Sequence, residues 1–215
     1  MKRILFLLTA MMLAWSAYAS TFWNWYGDKG AEVSSYKTVQ PRYGEKREAY
    51  TVMVFVPEHT NRKTRIKVEN YPATARKDRV QVIKLNRILH FDTGIYNYAV
   101  MTSTFSAMKP FGGRKAFYPV KISIAATEWC GNFYEHLLPD GKGFKHVMHS
   151  YFESEGDQEG YAPSPANDLF EDNLPILIRE LDGPFLKVGE KRSFHILPAL
   201  WNRRMTHKPL AYEKG

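Results

Sequence analysis

The feature that most constrains this sequence is a series of short β-branched and aromatic segments between residues 48 and 153, separated by Gly, Pro, Asn and Asp. Such segments predict strands joined by tight turns. The Asp92-Thr93-Gly94 turn sits between two of them, and its glycine can supply the positive φ of a hairpin. The chain is therefore expected to form an antiparallel meander, with strands over 48–56, 64–71, 80–91, 95–106, 117–127, 130–138 and 144–153.

One helix is expected after these strands. Leu174, Leu177, Ile178 and Leu181 recur at helical spacing, and Asp172 precedes them as an N-cap, so the pattern predicts a helix over 172–181. The polar stretch 155–166 is rich in Gly and Pro and predicts a loop or mobile flap. A last strand is expected over 192–197.

These elements predict a mainly β fold. A curved antiparallel meander sheet, open or closed like a barrel, would carry the single amphipathic helix over its apolar face or in one end. A two-sheet β-sandwich is the alternative, because the strand period is the same in both architectures.

The first 19 residues predict a cleavable signal peptide. Lys2 and Arg3 precede an apolar run over 4–15, and Ala17-Tyr18-Ala19 is a small-residue cleavage site. Residues 20–215 then form a single β-rich domain, exported to the periplasm, the cell envelope or the medium, with no transmembrane segment after cleavage. The stretch 207–210 reads as a linker into more sheet, so further strands are expected beyond residue 215.

The net charge excludes few functions, and the basic residues are expected at the surface. The formal net charge is +8, and basic patches occur at 62–65 and 201–204. In an exported chain without a nucleic-acid module motif, they predict a solvated face with some attraction to anionic lipid, and no nucleic-acid partner.

Signatures of catalysis and metal binding are missing from the sequence. It contains no phosphate loop, G-x-S-x-G or H-E-x-x-H motif. Cys130 is the single cysteine and is expected to be a small buried side chain. His146 and His149 fall on opposite faces of a strand and would not share a metal. We therefore assign no catalytic residue, metal or cofactor.

Glu128 is the most informative polar residue. Extending the register of Val120, Ile122 and Ile124 turns its carboxylate toward the apolar face, where it needs a partner. A strand that ends at Thr127, leaving Glu128 in solvent, is equally consistent with the pattern. Lys84, Arg179 and Tyr96 are the candidate partners of an inward Glu128, and Trp129-Cys130 is expected to lie in a central strand.

Several stretches together carry a family resemblance: Tyr43-Gly44-Glu45, Lys84-Leu85-Asn86, TGIYNY at 93–98, EWCG at 128–131, SYFE at 150–153 and EDNLP at 171–175. They resemble a family of exported bacterial β-rich proteins of unknown function, sometimes labelled septum formation inhibitors. The resemblance implies a β-rich fold and no activity.

The aromatic content, with 13 Tyr, 13 Phe and 5 Trp, favours a binding protein over an enzyme. We expect an exported soluble protein that holds a lipid-like or other amphipathic molecule against a concave sheet face. A hydrolase or isomerase using Glu128 is one alternative, and a structural envelope protein that binds others through a strand edge is another. The candidate ligand-binding residues are Glu128, Trp129, Lys84, Tyr96, Tyr98 and Arg179.

Overall fold

A computed structural model describes residues 30–179, 181 and 183–215, so the expected signal peptide lies outside the described residues. The protein is mainly β, and its principal element is an eight-stranded antiparallel meander in chain order. The sheet is open, with the first and the eighth strand at its edges. The strands are β1 Glu32–Arg42, β2 Glu45–Asn61, β3 Arg79–Thr93, β4 Tyr96–Ala107, β5 Pro119–Glu128, β6 Gly131–Pro139, β7 Gly143–Ser150 and β8 Gln158–Pro163.

Side-chain alternation gives the sheet an apolar inner face. Leu85, Leu89 and Phe91 of β3 are buried, and they share this face with Ile122 and Ile124 of β5. Because successive residues of a strand point to opposite sides, every second position contributes to this core. The inward register predicted for β3 and β5 is confirmed.

Turn residues fix the register between neighbouring strands. Thr93 pairs with Tyr96, which leaves Gly94 and Ile95 as a two-residue hairpin loop. Gly94 has a φ of 65°, a conformation that glycine adopts without the cost of a Cβ. The predicted hairpin between β3 and β4 is confirmed.

The C-terminal part of the chain covers the inner face. It contains two short helices and a small three-stranded sheet in the order β11-β10-β9. These elements are β9 Asp168–Phe170, a 3₁₀ turn at Glu171–Asn173, α1 Leu174–Leu177, β10 His195–Leu197, α2 Leu200–Thr206 and β11 Glu213–Lys214; a further 3₁₀ turn, Arg76–Asp78, precedes β3. Among the residues described, no helix is long and apolar enough to cross a membrane.

Contacts of α2 show that the sheet is strongly curved. Trp201 Nε1 donates to Gln40 Oε1 on β1 at 3.1 Å, while Arg203 Nη2 lies 3.5 Å from Gln158 Oε1 on β8. A flat sheet would separate its first and eighth strands by about 34 Å, from an interstrand spacing of about 4.8 Å. Two side chains only two residues apart in one helix do not span that distance. The sheet therefore curls around α2.

Three local predictions were wrong. Residues 64–71 form no strand, because Arg65 adopts a φ of 56° and Asn61 Oδ1 accepts the Lys63 N–H, which turns the chain. The segment 155–166 is not wholly a loop, since β8 pairs with β7. The expected helix over 172–181 is a single turn, and by Leu181 the chain is extended and bridges to Gly183.

Candidate functional site

A cavity of about 540 Å³ lies between the inner face of β1–β4 and the segment that contains α1. We call it the Arg87 pocket. Its volume is in the range of small-molecule sites. Apolar side chains form much of its wall, and Arg87 lies among them. The lining includes Met53, Leu85, Arg87, Thr102, Thr104, Asp172, Leu174, Pro175, Ile178 and Arg179.

Arg87 is the unusual group of this pocket. It occupies the inward register of β3, opposite Met53 on β2 and Thr102 on β4, and is half-buried. Its guanidinium makes no hydrogen bond or ion pair with any described residue. A guanidinium carries five N–H donors in a fixed fork that matches a carboxylate or phosphate. Arg87 therefore has the geometry and the free donors to bind an anionic group in the cavity.

Asp172 lines the Arg87 pocket beside Glu171 and lies within electrostatic reach of Arg87. It is buried, and its Oδ2 accepts the Leu200 N–H at 2.9 Å, so it caps the following helix, α2, rather than α1. Burial raises the pKa of Asp172 to about 6, while the Leu200 N–H and the charge of Arg87 act in the opposite direction. The protonation of Asp172, and with it the charge beside Arg87, therefore changes at mildly acidic pH.

Arg179 closes one side of the Arg87 pocket. Its Nη2 lies 2.5 Å from Glu32 Oε1 on β1, and its guanidinium lies 3.4 Å from the centre of the Phe55 ring. Nη1 also donates to the Pro175 carbonyl at 2.8 Å. Of the six residues proposed from sequence, Arg179 is the one that lines this cavity.

Lys84 lies elsewhere, on the outer face of β3. Its Nζ is 2.9 Å from Glu58 Oε2, so it forms an ion pair away from the concave face. As a partner of Glu128, Lys84 was therefore a wrong prediction, and so was Arg179. Both errors have the same cause. The two-residue period of a strand predicts on which face a side chain lies, but it does not predict which distant segment that side chain contacts.

Four of the sequence-proposed residues meet at the end of the sheet where β3 turns into β4. The Tyr96 ring lies 4.7 Å from the Tyr98 ring and 5.2 Å from the Trp129 ring. Tyr96 Oη donates to Glu128 Oε2 at 3.5 Å and accepts the Cys130 N–H at 3.3 Å. Removal from water raises the pKa of Tyr96 to about 12; the Cys130 side chain and Glu128 act in the same direction, and the Cys130 N–H opposes them. The hydroxyl therefore stays protonated and remains a donor at neutral pH.

Glu128 points inward, and its main partner is Arg204 of α2. Nη2 of Arg204 lies 3.2 Å from Oε1 and 3.3 Å from Oε2, and both side chains are almost fully buried. The Arg204 guanidinium also lies 4.4 Å from the Phe152 ring centre. The expectation that residues 201–204 form a solvated patch was wrong, because Trp201 and Arg204 are buried.

Trp129 and Cys130 do not lie in a central strand. They form the turn between β5 and β6, Trp129 is 63% exposed, and Cys130 is also exposed. Gly131 explains the turn, because its φ is 148° and an added Cβ would lie 2.3 Å from the Tyr151 ring. Aromatic and sulfur side chains are common in strands, but here they lie in the turn that Gly131 makes possible at the start of β6.

A third buried acid, Glu135 of β6, was missed by the sequence argument. Its carboxylate bonds to His146 Nε2 at 2.8 Å and to Arg203 Nη1 at 2.7 Å. His146 and Arg203 line a cavity of about 360 Å³ beside α2. The signal was present, since Glu135 alternates with the apolar Phe133 and Leu137 on the inward register. His149 points outward to Asp157, as the strand period predicted.

No family model, curated protein or solved structure matches this chain. The resemblance to exported β-rich proteins therefore stays a prediction from the sequence.

Proposed function

We propose that the protein is an exported, non-catalytic binding protein that holds an amphipathic anion in the Arg87 pocket. The observation that carries the proposal is the half-buried Arg87 guanidinium, which has no hydrogen-bond or ion-pair partner among the described residues. The donors of Arg87 remain open to solvent in the pocket, so an anionic group can replace water there and form charge-assisted hydrogen bonds with the guanidinium. Export is part of the proposal on the pattern of residues 1–19.

The cavity wall indicates the chemistry of the rest of the ligand. Met53, Leu174 and Ile178 supply apolar surface, and Ile178 is itself 63% exposed. A hydrocarbon chain would cover that surface, because exposed apolar patches of this kind mark binding sites. A carboxylate or phosphate head on Arg87 with an alkyl tail along α1 therefore fits the pocket better than a uniformly polar sugar.

Isothermal titration with decanoate tests the head-group contact. The purified protein should bind decanoate, and Arg87→Gln should weaken binding at least about tenfold, as expected for loss of a charge-assisted hydrogen bond. Binding of 1-decanol should not differ between the two. Arg76→Gln, which removes an exposed cation outside the pocket, is the charge-matched control. Equal decanoate affinity in Arg87→Gln and the parent protein would refute the assignment of Arg87.

Identification of the natural ligand needs protein purified from its native host. Organic extraction followed by mass spectrometry should recover an apolar anion from the parent protein and less of it from Arg87→Gln. If neither protein yields an apolar molecule and decanoate does not bind, the binding function is wrong.

An acid–base enzyme is the second candidate. Arg204 lies 3.2 Å from Glu128, and buried Glu135 orients His146 at the wall of the 360 Å³ cavity. A carboxylate that fixes an imidazole is a common arrangement of a general base. Hydrolysis of p-nitrophenyl esters that is lost in His146→Gln and kept in Arg87→Gln would favour this candidate.

A further inference from the structure

The outer edge of β1 is open in the described part of the chain. β1 pairs with β2 alone, over eleven residues. Over residues 33–42, its remaining backbone groups bond to no described residue, except that the Pro41 carbonyl accepts the side-chain N–H of Gln40. A long unpaired edge is a template for another strand, and Lys37 and Pro41 are the features here that normally discourage pairing.

Exposed apolar side chains along β1 are placed symmetrically about its centre. Val33 is 64% exposed and Val39 61%, and the two lie three residues either side of Tyr36. Both belong to the outer face, since Val33 pairs with Val54 and Val39 with Glu48 of β2. A two-fold axis through Tyr36 would therefore place Val33 of one copy opposite Val39 of the other.

We propose that the protein forms a two-fold symmetric dimer in which two β1 strands pair antiparallel, centred on Tyr36. In this register Val33 faces Val39 of the second copy, so two Val–Val pairs form. Ser35 faces Lys37, and Glu32 faces Gln40, so no like charges lie opposite each other.

Neighbouring registers are less favourable for a definite reason. Centring the pair on Lys37 would place Lys37 directly opposite its own copy, and like charges in that position are destabilising. Centring it on Ser35 would place Val33 opposite Lys37. Of these three registers, the one centred on Tyr36 is the one in which each exposed valine lies opposite another valine.

The dimer would also complete the wall of the Arg87 pocket. Tyr36 and Thr38 line that cavity, which therefore reaches the free edge of β1. A second β1 strand would continue the wall past this edge. The dimer does not depend on the proposed ligand, because the strand edge and the valine spacing exist without it.

Charges introduced at the two valine positions test the register. Sedimentation velocity should show a dimer for the parent protein. Val33→Lys with Val39→Lys places lysines opposite each other and should raise the dissociation constant at least about tenfold. Val33→Glu with Val39→Lys places opposite charges in the same pairs and should restore the dimer. Both double variants change the same exposed positions, so a general loss of folding would affect them alike.

A disulfide gives an independent readout. Directly opposed residues of an antiparallel pair have Cα atoms about 4.5–5.5 Å apart, which matches disulfide geometry. In a Cys130→Ser background, Tyr36→Cys should form a covalent dimer on mild oxidation, and Lys37→Cys should not. A monomeric parent protein, a dimer that survives the double lysine change, or equal cross-linking at 36 and 37 would overturn the proposal.

Discussion

The buried carboxylate of Asp172 makes the stability of the protein depend on pH in a way that one substitution isolates. Burial raises its pKa from 3.8 to about 6. Well below pH 3.8 the group is protonated in both the folded and the unfolded chain. Above about pH 6 it is ionised in both, and the folded state then carries the cost of a buried charge. Stability from this group is therefore present at low pH and lost as pH rises through about 6.

The size of the effect follows from the shift. Each unit of pKa is worth about 1.4 kcal/mol, so the full effect of Asp172 is about 3 kcal/mol, and the free energy of unfolding should fall by roughly 2 kcal/mol of this between pH 4 and pH 7. Asp172→Asn keeps an oxygen that can accept the Leu200 N–H but does not titrate. The free energy of unfolding of the variant, minus that of the parent protein, should therefore rise by this amount over the same interval.

Urea denaturation at half-unit pH steps measures the difference directly. Glu213→Gln, which changes an exposed carboxylate in β11, is the control. If the difference between Asp172→Asn and the parent protein varies by less than about 0.5 kcal/mol from pH 4 to 7, the buried, raised-pKa description of Asp172 is wrong.

Three further predictions follow from the same contacts. Decanesulfonate, whose charge does not change in this pH range, should bind more tightly at pH 5 than at pH 7.5, because protonation of Asp172 removes the anion beside Arg87. Titration calorimetry of Asp172→Asn should show no such difference between the two pH values. Trp129→Ala should lower the free energy of unfolding by less than about 1 kcal/mol in urea, since the side chain is 63% exposed; a loss of several kcal/mol would place it in the core. Arg204→Met should lower the free energy of unfolding by about 3–5 kcal/mol, because it leaves Glu128 buried without its cation. The double variant Glu128→Gln with Arg204→Met should recover much of that loss, and additive losses in the two single variants would contradict the ion pair.

The local sequence pattern was sufficient to predict the strands in the middle of the sheet. The strands from β3 to β7 follow from period-two alternation and from turn residues such as Gly94, which act within a few positions of the chain. The same alternation left Glu128 either inward or in solvent, and the structure places it inward. β1 was not predicted, because Ser34, Ser35, Thr38 and Pro41 weaken its alternation.

Long-range pairing was beyond the sequence argument. Glu128 and Arg204 are 76 residues apart, and Arg204 stands in a basic stretch that is indistinguishable from a solvated surface until α2 enters the curved sheet. Arg87 shows the opposite case. Its place between Leu85 and Leu89 on the inward register was readable, since a cation in an apolar row needs either a partner or a ligand.

The position of the Arg87 pocket follows from the limited length of the two inner helices. α1 has four residues and α2 seven, so they extend over only about 6 and 10 Å, at 1.5 Å per residue, beneath eight strands. The sheet adjusts by curling until α2 reaches both Gln40 and Gln158. Around α2 the chain itself supplies a cation to each buried carboxylate, Arg204 to Glu128 and Arg203 to Glu135. Between β1–β4 and α1 the covering layer is a single helical turn, and the uncovered space there contains Arg87. An amphipathic anion would supply in that space what the chain itself does not, apolar contact for the exposed Ile178 and a counter-charge for the Arg87 guanidinium.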